Sequence, residues 1–276
     1  MKKKNKIILA VFILALLIIL IVVIKNHNSR VEPSAEKDVP AKVVEGLIVP
    51  DSFVTKTLNP DDTYVKFDVK YPSFMKADNI FNANIENIIQ SQIQDDIKTS
   101  MENWQARYNT QTAGENIPKV PKTDADKFSF FSNFTVVQSN SSYISLVLNY
   151  GGFNGGAHGY ENIVSFNYDV KKQKMIELKD LFPNDPQYLT SLSTASRAYL
   201  TKQFATVSEE DKKNSDPAAL KEYVDNMVSM INSGTEPDIE NFSVFTFTGD
   251  KVKIYFAQYQ VGPYVIGMPE IEVSRK

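Results

Sequence analysis

Cysteine is absent from all 276 residues, histidine occurs only twice and tryptophan once. The first absence excludes disulfide staples, thiolate metal sites and cysteine nucleophiles, and it removes the residue that carries a lipoprotein's lipid. Any exported domain must therefore be held by its apolar core. The two histidines, His27 and His158, are too few for zinc hydrolysis, which recruits two or three of them around one ion. No metal site and no cofactor are expected. A Gly-x-Ser-x-Gly elbow is missing as well, which weakens any serine–histidine hydrolase reading.

Acidic residues are missing from the start of the chain, the first being Glu32, whereas Lys2, Lys3, Lys4 and Lys6 crowd the first six positions. Directly after them, residues 7–24 hold no polar or charged side chain across 18 positions. At helical rise that run is about 27 Å long, close to the hydrocarbon thickness of a bilayer. The positive-inside rule keeps the lysines in the cytoplasm, so the C-terminal mass is expected outside. A signal peptide's apolar region is shorter, about 7–15 residues, and ends in a small-residue cleavage site. Here Lys25-Asn26-His27-Asn28-Ser29-Arg30 follows, so the sequence predicts an uncleaved, single-pass anchor. Beyond the anchor, 26 basic residues face all 33 acidic ones, a net charge of −7. That balance argues against nucleic acid and favours a basic partner.

The chain divides into a cytoplasmic tail (1–6), a transmembrane helix (7–24), a Pro-, Glu-, Lys- and Ser-rich linker (25–57) and two α+β subdomains (58–155 and 156–276). Within the linker, residues 43–44 and 47–49 could open a first strand. Alternation of Val65, Phe67, Val69 and Tyr71 predicts a half-buried strand, and apolar spacings of three and four predict a long helix over 78–108, capped by Asp78 or Asn79. Strands are expected at 128–138, 143–150 and 160–170 as an antiparallel meander, then helices at 186–204 and 217–231. A hairpin across Gly249-Asp250 and a strand at 270–274 close the chain. The fold class read from this order is α+β, antiparallel sheet packed with helices.

The most unusual segment is Tyr150-Gly151-Gly152-Phe153-Asn154-Gly155-Gly156-Ala157-His158-Gly159-Tyr160. Its glycines suit either a tight bend between strands or a backbone that a ligand approaches closely. No Gly-Lys-Ser/Thr follows and no helix opens there, so it is not a nucleotide phosphate loop. His158 reads as a structural or ligand-contacting residue rather than a catalytic one. The carboxylates Asp95-Asp96 and Glu209-Glu210-Asp211 read as solvated faces.

Several ordered motifs then resemble a known family. The run Asn149-Tyr150 to Gly155-Gly156-Ala157-His158-Gly159, with Phe166-Asn167-Tyr168-Asp169 and Ile176-Glu177-Leu178-Lys179-Asp180-Leu181-Phe182, resembles the extracytoplasmic domain of RsiV-type anti-sigma factors. So do Phe242-x-x-Phe245, Ile254-Tyr255-Phe256-x-x-Tyr259-x-Val261-Gly262-Pro263-Tyr264-x-x-Gly267 and Ile271-x-Val273, and the likeness runs from about Thr63 to Val273. That domain pair senses lysozyme and also accompanies peptidoglycan deacetylase domains. The resemblance implies a binding or sensing module facing the cell wall, with a lysozyme-type muramidase or peptidoglycan as partner. Anti-sigma activity is not expected, because only residues 1–6 precede the anchor, and no deacetylase domain is expected after the pair. The candidate binding residues are Tyr150, Gly155, Gly156, His158 and Tyr160 in the glycine loop, with Tyr259 and Tyr264 from the later motif. The alternative is a wall-glycan hydrolase using His158 as acid or base.

Overall fold

The computed structural model describes residues 48–49, 51–112 and 115–275. The apolar run at 7–24 lies outside them, and among the described residues no helix is long and apolar enough to cross a membrane. The fold is α+β, with a six-stranded and a three-stranded sheet.

The six-stranded sheet follows chain order: β1 (Phe53–Thr57), β2 (Val65–Phe74), β3 (Phe128–Ser139), β4 (Tyr143–Phe153), β5 (Tyr160–Asp169) and β6 (Lys174–Met175). Strict alternation in β2 buries Val65, Phe67, Val69 and Tyr71 while Lys66, Asp68 and Lys70 face out, as period-two patterning requires. Helix α1 (Asn79–Thr110) covers that buried face. Its first turn is closed by the Asp78 carboxylate, which accepts from the Phe81 amide at 2.7 Å. One stripe of α1, from Phe81 through Ile85, Ile89 and Ile93 to Trp104, is buried against the sheet. Burial of one such side chain is worth roughly 1.5–3 kcal/mol, so the stripe rather than intrinsic propensity holds the helix.

Three expectations are corrected here. The segment read as linker ends earlier than residue 57, because Phe53–Thr57 pairs antiparallel with Lys70–Phe74 as an edge strand. The sheet is also not wholly antiparallel. Strands β2 and β3 run parallel, Val65 beside Phe128, because α1 carries the chain back across the sheet between them. From β3 to β5 the expected antiparallel meander is present. The boundary read at 155/156 falls in the β4–β5 hairpin, where the chain stays in the same sheet.

Strand β4 is buried almost throughout because both of its faces are covered. Ile144, Leu146, Leu148 and Tyr150 join the core beneath α1, whereas Val147 packs with Ile163 and Tyr255. Tyr255 belongs to the second sheet, β7 (Phe245–Thr248), β8 (Lys251–Tyr255) and β9 (Glu270–Ser274). The open backbone edge of β7 is satisfied by side chains of the first sheet. Ser165 Oγ accepts from the Phe245 amide and Ser145 Oγ from the Phe247 amide, each at 3.0 Å. Asn167 Nδ2 donates to the Phe245 carbonyl at 2.8 Å, and its Oδ1 accepts from Ser145 at 2.6 Å.

Helices α2 (Tyr188–Phe204), α3 (Glu209–Asn214) and α4 (Pro217–Gly234) precede the second sheet. The acidic run Glu209-Glu210-Asp211 is the first turn of α3, with Glu209 and Glu210 exposed and Ser208 as its cap. Leu192, Leu200, Met227 and Ile231 join Val252, Ile254 and Phe256 in a second core. Arg197 ties α2 to the end of α4 through Thr235 Oγ1 at 3.1 Å and the Asn232 carbonyl at 2.9 Å.

Candidate ligand-binding site

Residues 154–159 connect β4 to β5, and α1 holds both ends of this connection. Asn103 Nδ2 donates to the Asn154 carbonyl at 2.7 Å, and Tyr160 donates its hydroxyl to the Asp96 carboxylate. Asp96 is 3% exposed, so it is not the solvated helix-face carboxylate read from the sequence. Burial raises its pKa above the ordinary aspartate value, opposed by hydrogen bonds from Tyr160, Ser100 and Asn154. Burial, with the Asp96 bond, pushes the Tyr160 phenol far above the usual tyrosine range.

The seven sequence-derived residues divide into two groups. Tyr150 is buried beneath α1, where burial also raises its pKa, and Tyr160 is half-buried on Asp96. Neither ring is exposed as a candidate binding residue would need to be. Gly155 is structural too, with φ of +96° and Phe128 Cζ only 2.8 Å from where a Cβ would stand. Gly156 has open space, its would-be Cβ meeting only the His158 carbonyl at 3.8 Å.

His158 leaves the tip and meets the later motif. Its Nδ1 lies 2.7 Å from the Gly159 carbonyl, which can only accept, so in the neutral ring Nδ1 is the donor and Nε2 the acceptor. Tyr259 Oη donates to that Nε2 at 2.9 Å. The His158 and Tyr264 ring centroids are 4.2 Å apart with planes tilted by 33°, and the Tyr259 and Tyr264 rings are 5.9 Å apart. Despite these contacts His158 is exposed, and Tyr259 and Tyr264 stay 50% and 37% exposed.

Tyr259 is presented by a strained turn. Its φ of +67° lies in the left-handed region, unusual for a bulky residue and costing about 1–3 kcal/mol. Gln260 enforces it: Oε1 accepts from the Ala257 amide at 2.9 Å, while Nε2 donates to the Gly234 and Asn241 carbonyls at 3.0 and 2.9 Å. Gly234 permits this seat, since a Cβ there would stand 1.9 Å from the Gln260 carbonyl oxygen.

Among the described residues no group of three or more His, Cys, Asp or Glu side chains could hold a metal ion. Neither hydrogen bond of His158 goes to a carboxylate. What the arrangement offers chemically is three partly open aromatic rings, two phenols and one imidazole, an apolar surface with polar handles. Sequence reasoning missed Asp96, Asn103 and Gln260. For Asp96 a signal was present, because positions 89, 93, 96, 100 and 104 continue the buried stripe of α1.

Two family models match, one on each side of this cluster. Residues 58–161, which include His158, match the model described as deacetylase PdaC, and residues 179–276, which include Tyr259 and Tyr264, match that of a protein of unknown function, DUF3298. Over 143 residues the chain is 33% identical to the peptidoglycan-N-acetylmuramic acid deacetylase PdaC of Bacillus subtilis, covering 52% of this chain. The chain spans only 27% of that relative's length. In fold it is similar to the crystal structure of a DUF3298 family member from Bacteroides fragilis, at a TM-score of 0.51 and 16% identity, covering 81% of this chain and 90% of the other.

Proposed function

We propose that this chain is a wall-facing, non-enzymatic binding module, held to the membrane by residues 7–24 and recognising peptidoglycan through the exposed rings of His158, Tyr259 and Tyr264. The observation that carries the reading is that cluster. A strained, over-determined turn presents one of its rings to solvent, and exposed aromatic groups held so rigidly suit recognition. The likeness to a peptidoglycan deacetylase over 143 residues supports wall glycan as the ligand. The four N-terminal lysines and the 18-residue apolar run support an uncleaved anchor with the folded part outside.

A second reading rests on charge. The net −7 beyond the anchor favours a basic, lysozyme-type muramidase, in keeping with the resemblance to RsiV-type domains. Binding to such a protein would be fast and weakened by salt.

Incubating the full chain, in mild detergent, with purified sacculi and separately with a basic muramidase tests both. Retention on sacculi without release of soluble product is the expected result. Product release that disappears in His158→Ala would make the protein a hydrolase instead. Binding to the muramidase alone would move the reading to a protein partner. N-terminal sequencing of membrane-extracted protein should begin before residue 25; a later start would overturn the anchor.

A further inference from the structure

We infer that His158, Tyr259 and Tyr264 form one composite stacking platform for an amino-sugar glycan strand, incomplete in either of the two family-matched segments alone. The inference rests on the binding-module reading and specifies its site and ligand class. His158 comes from the segment matched at 58–161, and both tyrosines come from the segment matched at 179–276. Each half supplies what the other lacks. The hairpin brings the imidazole, and the second half brings two rings and the hydroxyl that donates to Nε2 at 2.9 Å.

The ligand class follows from the chemistry of the surface. A pyranose ring offers a face of C–H bonds bordered by hydroxyl and acetamido groups. Partly open tyrosine rings with hydroxyl tips match that division, the ring meeting the apolar face and the tip the polar border. The rings stand on the surface and not around an enclosed hole, which lets a long polymer pass across them. The strain at Tyr259 gives a second indication. Tyr259 at φ +67° leaves half of its surface open and meets only the other two rings of the cluster among the aromatic contacts, so the strained backbone serves to present the ring beside them.

The test is titration of the full chain, in mild detergent, with a β-1,4-linked N-acetylglucosamine hexasaccharide, alongside sedimentation with sacculi and thermal melts. Wild type is expected to bind both, and His158→Ala and Tyr264→Ala to weaken binding at least about tenfold. Tyr259→Gly separates binding from folding, because glycine accepts positive φ freely. It should melt no lower than wild type and still lose at least about tenfold in affinity, as an anchoring ring would. Hexasaccharide binding unchanged in all three variants would overturn the platform. Wild type that binds sacculi but not the hexasaccharide would also overturn it, leaving the module reading intact with another part of the wall as ligand. Wild type that binds neither would remove both. Binding to a muramidase alone, abolished by Tyr264→Ala, would reassign the rings to a protein partner and overturn the glycan assignment.

Discussion

Tyr160, at the start of β5, donates its hydroxyl to the carboxylate of Asp96, 64 residues earlier on α1. The bond pins the base of the β4–β5 hairpin to the helix, and burial of Asp96 gives it a pH signature. The folded-state pKa of Asp96 lies above its unfolded value, chiefly through desolvation. The folded chain therefore holds that proton more tightly, and the stability linked to it is present below the unfolded pKa and lost as pH rises through the folded one. Asp96→Asn keeps an acceptor for Tyr160 and removes the titration. Its melting temperature should gain on wild type as pH rises from about 4 to 7, the window above the aspartate reference value. Asp96→Ala leaves the half-buried Tyr160 hydroxyl without its acceptor and should cost about 1–3 kcal/mol in denaturant unfolding at pH 7. Equal pH slopes for wild type and Asp96→Asn would contradict this picture.

Gly155 and Gly156 should respond differently to alanine. At Gly155 the positive φ and the crowding against Phe128 predict a loss of about 1–3 kcal/mol. Gly156 faces open space, so alanine there should change stability by no more than about 0.5 kcal/mol. Chemical denaturation of the two single variants is the check, and equal losses would mean the hairpin tip is built otherwise.

The contact between the sheets makes a third prediction. Ser145→Ala strips the Phe247 amide of its acceptor, and Asn167→Ala strips the Phe245 carbonyl of its donor. Each buried group left unpaired should cost about 1–3 kcal/mol. Because Ser145 and Asn167 also bond each other, the double variant should lose less than the sum of the two singles. Full additivity in a double-mutant cycle would show that the two act separately.

Much of this fold could be read from residue patterns. The alternation of Val65, Phe67, Val69 and Tyr71 placed β2, and the apolar stripe placed α1, because each element buries one face against the other. Phe53–Thr57 escaped notice for the opposite reason. It is an edge strand with no buried residue, so it carries no periodic signal. The parallel pairing of β2 and β3 was legible in principle, since a helix between two strands is the connection parallel strands need. The glycine loop was unusual on sight, but not the different roles of its glycines, which depend on what packs beside each one. Least legible was the meeting of His158 with Tyr259, a contact across 101 residues that only the folded chain creates.

The scarcity of histidine makes the platform directly observable. With only His27 and His158 in the chain, the imidazole signals of a ¹⁵N-histidine spectrum are two sets, and His158→Ala assigns them. Adding soluble peptidoglycan glycan fragments to the full chain should shift the His158 ring signals, through its contacts with Tyr259 and Tyr264, and leave those of His27 in place. Binding of the same fragments with the His158 signals unmoved would contradict a ligand site built on His158, Tyr259 and Tyr264.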